Sequence, residues 1–107
     1  MKRDIDKARQ TVLVIGGSGG LSDRYRDVVE EHGWSLRHFE NRVPPGARRG
    51  LGHIALVVVM VGMVSHSLRE QARGLMADDV PVVYLRSASV SPLRSVVEQR
   101  GEPRRAA

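Results

Sequence analysis

The chain has no cysteine among its 107 residues and few aromatic residues: one Trp, one Phe and two Tyr. Without cysteine, disulfide bonds, thiolate zinc sites and cysteine-based catalysis or redox sensing are excluded. The scarcity of aromatic residues predicts an aliphatic core and removes the stacking surfaces on which general nucleic-acid binding depends. A chain without cysteine fits a reducing compartment, so we expect a cytoplasmic protein.

The sequence also lacks a hydrophobic run long enough to cross a bilayer. Its longest apolar stretch, IALVVVMVGMV at residues 54–64, is far shorter than the roughly 20 residues that a membrane-spanning helix needs. The first ten residues, MKRDIDKARQ, mix both charge signs and have no apolar segment typical of a secretory signal. We therefore expect no membrane partner.

Positive charge is concentrated at the two ends of the chain. The formal net charge is +5, of which residues 1–10 and 101–107 together carry +3. This distribution predicts a polar lead-in over 1–10, a single near-neutral domain over 11–100 and a flexible basic tail over 101–107. The excess of 15 Arg over 2 Lys is interpreted as composition bias.

Four apolar segments have the pattern of strands, and segments of helical periodicity alternate with them. The predicted strands are residues 11–15, 34–39, 54–61 and 81–85. Their largely continuous apolar character predicts a parallel sheet covered on both faces. The predicted fold class is α/β, a small doubly wound Rossmann-like or flavodoxin-like sheet of four parallel strands in the order 2-1-3-4.

Serine and glycine residues mark the expected helix ends. The predicted N-caps are Ser22, Ser67 and Ser91. Ser67 has capping-box spacing to Glu70, and Ser91 precedes Pro92, which suits a first helical position. The predicted helix ends are Gly33, Ala77 and Gly101.

Ligands of such sheets bind beyond the carboxyl ends of the strands, where the strand order reverses. This rule selects the loops at residues 16–22, 40–53, 62–67 and 86–91. The first of these loops, GGSGG, is typical of three chemistries. These are a serine nucleophile elbow, a dinucleotide-binding loop and a turn that offers backbone N–H groups to an anion.

The elbow interpretation is weak because Gly19 and Gly20 separate Ser18 from its helix. A dinucleotide loop gains support from Glu40, which follows the second strand where a ribose-binding acid would lie. An anion turn needs only glycine and free N–H groups. The ligand-binding residues predicted in this turn are Gly16, Gly17, Ser18, Gly19 and Gly20.

Two further loops carry candidate binding residues. Ser65 and His66 begin the third-strand helix, and His66 is also the residue that an enzyme would use in acid/base chemistry. Arg86 follows the fourth strand as a donor fork for phosphate or carboxylate, and the hydroxyls of Ser87 and Ser89 follow it. Both loops belong to the same predicted edge of the sheet.

Two other features are assigned no ligand role. Met60, Met63 and His66 are spaced by three, as a soft-metal or haem ligand set would be, but strand geometry places Met60 in the core, and no metal site is predicted. The basic residues of the second crevice loop are Arg42, Arg48, Arg49 and His53. They are interpreted as a solvated loop.

The motifs GG after the first strand, YRDVVEEHG, VSHS, PVVYLRS and SVSPL together resemble the bacterial family DUF2325, a domain of unknown function, over residues 11–98. The resemblance implies a stand-alone Rossmann-like cytoplasmic domain with no established activity. The family's recurrent features fall on Gly16, Gly17, Tyr25, Ser65, His66, Arg86, Ser87 and Ser91. This chain departs from the family at residues 38–41, where it has HFEN.

The leading interpretation is a non-catalytic binding or regulatory module for a phosphorylated small molecule or a nucleotide, with no firm cofactor. One alternative is a small phosphohydrolase or nucleotide-processing enzyme that uses His66. Another is an RNA-, DNA- or protein-interaction module that uses the Arg-rich loop over 42–53 and the tails. Because a small parallel sheet has exposed edges, a homodimer is expected.

Overall fold

A computed structural model of the chain describes residues 10–47, 51, 53–75 and 80–100. The strands are β1 (Thr11–Gly16), β2 (Ser35–Phe39), β3 (Ile54–Met60) and β4 (Val82–Leu85). The helices are α1 (Ser22–Glu31), α2 (His66–Arg73) and α3 (Val90–Arg100). Two 3₁₀ turns, Gly19–Leu21 and Val61–Met63, precede α1 and α2.

The four strands form one parallel sheet in the order β2-β1-β3-β4. The predicted fold class and strand order are therefore confirmed. The order reverses between β1 and β3, so the loops that follow these two strands are neighbours at the carboxyl edge. Among the described residues, no helix is long and apolar enough to cross a membrane.

Strand β1 is buried on both faces of the sheet. Val12 and Val14 pack into one apolar cluster with α1 and α3, whereas Leu13 and Ile15 pack into a second cluster with α2. All four side chains are 0% exposed. Because successive side chains of a strand point to opposite faces, the continuous apolar run of β1 requires cover on both sides.

The two faces are covered unequally. Helices α1 and α3 together cover the first face. Helix α2 has only eight residues, and the second face is completed by residues of the loop before β3, among them Val43, Ala47 and Leu51. A hydrogen bond from the Val43 N–H to Gln71 Oε1 (2.8 Å) ties this loop to α2.

The prediction that Ser22 caps the first helix is wrong. Ser22 is the first helical residue, and the N-cap position is taken by Leu21 without a side-chain hydrogen bond. The cap has moved upstream because a 3₁₀ turn precedes the helix, and there the Ser18 hydroxyl accepts from the Gly20 N–H (3.2 Å). The Ser22 hydroxyl instead contacts His38.

Helix α2 begins at His66, as predicted, but its capping serine and the start of α3 differ from the predictions. Ser65, rather than Ser67, is the N-cap of α2, and its hydroxyl accepts from the Leu68 N–H (3.0 Å). Helix α3 begins at Val90, so Pro92 is its third residue rather than its first. Proline fits there because the first N–H groups of a helix have no partner within it.

The helix ends agree with the predictions in part. Gly33 follows α1 with φ of +86°, as a C-terminal glycine does. Helix α2 ends at Arg73, and Ala77 and Gly101 lie outside the described residues.

Glycine lets the backbones at the carboxyl edge of the sheet come into contact. Gly16 has φ of +88°, and a Cβ there would lie 2.5 Å from the Met63 carbonyl oxygen. A Cβ on Gly62 would lie 2.5 Å from the Arg86 carbonyl oxygen. The loops after β1, β3 and β4 are thus packed backbone against backbone, an approach that only glycine permits.

We expect Gly16→Ala to destabilise the fold more than Gly33→Ala. Both glycines have positive φ, but no atom lies within 4 Å of a Cβ on Gly33. Gly33→Ala therefore carries only the conformational cost of about 1–2 kcal/mol, whereas Gly16→Ala adds an overpacking cost of about 1–3 kcal/mol. Urea denaturation measures both values, and equal losses would contradict close packing of the two loops.

Candidate functional site

The carboxyl edge of the sheet begins with residues 16–22, here called the glycine turn, which connect β1 to α1. The Gly17 N–H donates to the Met63 carbonyl (2.9 Å) and so joins this turn to the loop after β3. Three of the four selected loops, after β1, β3 and β4, are therefore held together by the contacts of Gly16, Gly17 and Gly62.

Tyr25 of α1 connects the glycine turn to the loop after β4. Its side chain is 0% exposed. The hydroxyl accepts from the Ser18 N–H (3.2 Å) and donates to the Ala88 carbonyl. A buried tyrosine hydroxyl needs such partners. A single side chain therefore fixes the distance between the glycine turn and Ala88, which lies 63 residues after Tyr25 in the sequence.

His38 of β2 holds the other side of the glycine turn. Its Nε2 lies 2.6 Å from the Gly16 carbonyl oxygen, so Nε2 carries the proton and donates. Its Nδ1 lies 3.1 Å from Ser22 Oγ, and the ring meets the Tyr25 ring edge-on with centroids 5.2 Å apart. With Nε2 protonated, the neutral ring accepts from the serine hydroxyl at Nδ1.

Tyr25 and His38 were absent from the predicted site. The sequence signal for Tyr25 was a tyrosine on an otherwise apolar helix face, since its buried hydroxyl requires a partner. The signal for His38 was a histidine one residue before the end of a strand. Both residues position the backbone of the glycine turn rather than face solvent.

The backbone N–H groups of Gly17 to Ser22 all have acceptors within the chain. The acceptors, in chain order, are Met63 O, Tyr25 Oη, Glu40 Oε2, Ser18 Oγ, Ser18 O and Gly19 O. Only the carboxylate of Glu40 carries a charge. The turn already holds an anion of its own, and an incoming anion gains the Gly19 N–H only by displacing it.

Glu40 lies where its position after the second strand suggested, against the glycine turn. Its Oε2 accepts from the Gly19 N–H at 2.9 Å, and the residue is exposed to solvent. A Cβ on Gly19 would collide with this carboxylate. Glycine at position 19 therefore lets the Glu40 carboxylate lie against the backbone, and no hydrogen bond between described residues uses Oε1.

The loop after β3 presents Ser65 and His66 at the start of α2. The Ser65 hydroxyl is engaged as the helix cap. The His66 side chain is 85% exposed, and its Nε2 lies 4.0 Å from Glu70 Oε2 on the same helix. No hydrogen bond to a described residue orients the His66 imidazole.

The loop after β4 presents Arg86, Ser87 and Ser89, all exposed. The Ser87 hydroxyl donates to Ser89 Oγ (2.9 Å) and accepts from the Ser89 N–H (3.0 Å), which makes a compact serine turn ahead of α3. Among the described residues, the Arg86 guanidinium has no ion-pair or hydrogen-bond partner. Its N–H groups are therefore available, among the described residues, as paired hydrogen-bond donors at this edge.

The regularly spaced methionine and histidine residues and the basic loop, both noted from the sequence, do not form a single site at this edge. Met60 is 0% exposed in the core, whereas Met63 is 52% exposed, so the two thioethers lie in different environments. In the described ranges, no three His, Asp or Glu side chains are grouped as metal ligands. Arg42 and His53 are exposed, and Arg48 and Arg49 lie outside the described residues.

We expect Tyr25→Phe to destabilise the protein, with Tyr84→Phe as its matched control. The first change leaves the Ser18 N–H and the Ala88 carbonyl without partners, at a cost of about 1–3 kcal/mol. Tyr84 is 61% exposed, so its variant stays within about 0.5 kcal/mol of wild type. Chemical denaturation and amide exchange at Ser18 are the measurements. Equal stability of the two variants would contradict the role of the Tyr25 hydroxyl.

Comparison with known proteins identifies the family. The family model described as "Uncharacterized protein conserved in bacteria (DUF2325)" matches residues 11–100. Neither the curated proteins nor the solved structures returned a match. Since the matched segment covers nearly all of the described fold, the resemblance seen in the sequence motifs is confirmed, and the chain belongs to the DUF2325 family.

Proposed function

We propose that the protein is a non-catalytic module that binds a phosphorylated small molecule, with a nucleotide as the favoured class, at the carboxyl edge of its sheet. The observation that carries the proposal is Arg86. It is an exposed guanidinium without a partner among the described residues. It follows β4 and precedes α3, and its backbone packs against Gly62 in the loop that leads to α2. An arginine fork binds phosphate through two parallel hydrogen bonds.

The helix starts supply further donors. The first N–H groups of a helix have no intrahelical partner, and the helix dipole favours a negative charge there. Helices α2 and α3 both start at this edge, because each follows the carboxyl end of a parallel strand. The Ser87 and Ser89 hydroxyls lie beside Arg86 in the chain and would orient the phosphate.

Glu40 favours a nucleotide over inorganic phosphate. Its carboxylate is held against the Gly19 N–H, and an anion placed there would be repelled by it. The free Oε1 atom would instead accept a hydrogen bond from a ribose hydroxyl, which is the role of the acid after the second strand in dinucleotide-binding sheets. In this arrangement the phosphate lies toward Arg86 and the sugar toward Glu40.

The surroundings of His66 favour a binding role over the enzymatic alternative, because no described residue orients its imidazole by a hydrogen bond. Within the part of the chain that the structure describes, its exposed imidazole has one partner, Glu70, at 4.0 Å. General acid/base catalysis requires a group within hydrogen-bond reach of the proton that it transfers, held there by a partner.

We expect AMP to raise the melting temperature of the protein and adenosine, which lacks the phosphate, to leave it unchanged. At about 100 times the Kd a ligand adds about 2.7 kcal/mol to the free energy of unfolding. Loss of the charged hydrogen bonds in Arg86→Gln weakens AMP binding by about 10- to 100-fold, from about 1.5–3 kcal/mol.

The matched control is Arg100→Gln. It removes the same charge from the opposite end of the sheet, where Arg100 lines a shallow cavity with Trp34 and His53. This variant should bind AMP as the wild type does. Absence of any thermal shift with AMP and inorganic phosphate, or an equal loss in both variants, would contradict the proposal.

A homodimer is the second part of the proposal. Strands β2 and β4 are the edges of the sheet. The β2 edge carries the charged Arg37, whereas the VVYL sequence of β4 carries no charge, and charged side chains protect an edge strand from pairing. A second copy would therefore pair along β4. Sedimentation equilibrium tests this expectation, and Tyr84→Lys, at a position of β4 that is 61% exposed, should shift the protein toward monomer.

A further inference from the structure

A shallow groove lies on the single-helix face of the sheet, between α2 and β4. It has a volume of about 340 Å³ and is lined by Val59, Arg69, Ala72, Arg73 and Tyr84. None of these residues belongs to the glycine turn or to the loops of Arg86 and His66. This α2–β4 groove is therefore separate from the nucleotide site proposed above.

The groove exists because α2 is too short to cover the edge strand. On the other face, Val83 and Leu85 pack against the cluster formed with α1 and α3. Tyr84, which points to the α2 face, is 61% exposed. The result is an exposed aromatic wall, Tyr84, above a closely packed apolar floor in which Val59 and Ala72 are each 1% exposed.

Arg69 is the unusual residue of this groove. Its Nε atom is buried and has no hydrogen-bond partner, and no ion pair to a described residue includes its guanidinium. Arg69 as a whole is half-buried, but its Nε–H is a buried donor without an acceptor, which is unfavourable because this N–H is shielded from water and makes no hydrogen bond. An acceptor that enters the groove would remove this penalty.

The charges around the groove indicate how much negative charge that acceptor carries. Arg73 pairs with Glu70 at 3.9 Å, so this carboxylate balances one of the two arginines. One positive charge, that of Arg69, is left over. A monoanion matches it, whereas a phosphate dianion does not.

We propose that the α2–β4 groove binds a carboxylate joined to an aromatic or other flat apolar body. The Arg69 guanidinium receives the carboxylate, and the apolar body lies on Val59 and Ala72 against the Tyr84 ring. The carboxylate belongs to a free aromatic acid or to the C-terminal residue of a peptide, since both present the same chemistry. A second copy paired along β4 brings only the VVYL strand there and supplies no carboxylate.

The test is an NMR titration of the full chain with 3-phenylpropionate, and 3-phenylpropionamide is the neutral control. The acid should shift the Arg69 Nε–H resonance and the β4 amides in a saturable way, and the amide should not. A short peptide that ends in a free phenylalanine carboxylate, compared with its amidated form, distinguishes the two sources. Tighter binding by the peptide acid than by phenylpropionate assigns the carboxylate to a chain end.

Two variants test the residues of the groove. Arg69→Gln should weaken phenylpropionate binding by at least about tenfold, the loss expected for a charged hydrogen bond. Tyr84→Ser, at an exposed position that the fold does not need, should weaken it several-fold. Arg86→Gln, in the nucleotide site, should leave phenylpropionate binding unchanged, so the two proposals fail independently.

Three results would overturn this proposal. The first is no saturable shift with either acid, and the second is an equal shift with acid and amide. The third concerns Asp78 and Asp79, which precede β4 in the sequence. If an Asp78→Asn, Asp79→Asn double variant gains phenylpropionate binding that the wild type lacks, the partner of Arg69 is a carboxylate of the chain itself.

Discussion

The complete burial of β1 is the constraint on which the rest of this structure depends. A strand with apolar side chains on both faces is stable only between two covered layers, so helices must pack on each side of the sheet. Neighbouring strands on both edges of β1 then bring their carboxyl ends beside its own. The chain has to leave β1 through a crowded edge, and Gly16 is the residue that makes this exit possible.

The same crowding explains why the glycine turn is less available to a ligand than its sequence suggests. A glycine-rich turn before a helix offers unsatisfied N–H groups only if the protein leaves them unsatisfied. Here Tyr25, Ser18, Glu40 and the Met63 carbonyl provide acceptors. The turn therefore acts as a framework that fixes the loop geometry, and an exposed cation without a partner among the described residues, Arg86, is contributed by another loop.

Unequal cover of the two faces has a separate consequence. Two helices of ten and eleven residues pack on one face, and one helix of eight residues packs on the other. On this second face, the loop before β3 covers the side of the sheet near β1. No described residue covers Tyr84 at the β4 edge. Arg69 and Tyr84 are left facing a groove whose polar and apolar parts lie side by side.

The sequence by itself determined the fold class, the strand order and the loops that form the carboxyl edge, because apolar periodicity and short connections leave few topologies open. It also located Glu40 beside the glycine turn. The caps at Ser18 and Ser65 and the start of α3 at Val90 were decided by the tertiary structure, since several serines near each helix start are suitable caps. The Ser22 hydroxyl, for example, contacts His38 of β2 and does not cap α1. The hydrogen bonds of Tyr25 and His38, the occupied N–H groups of the turn and the unpartnered Arg69 were likewise decided by packing. They depend on which groups, far apart in the sequence, come within about 3 Å of each other in the fold. The local sequence does not determine that distance.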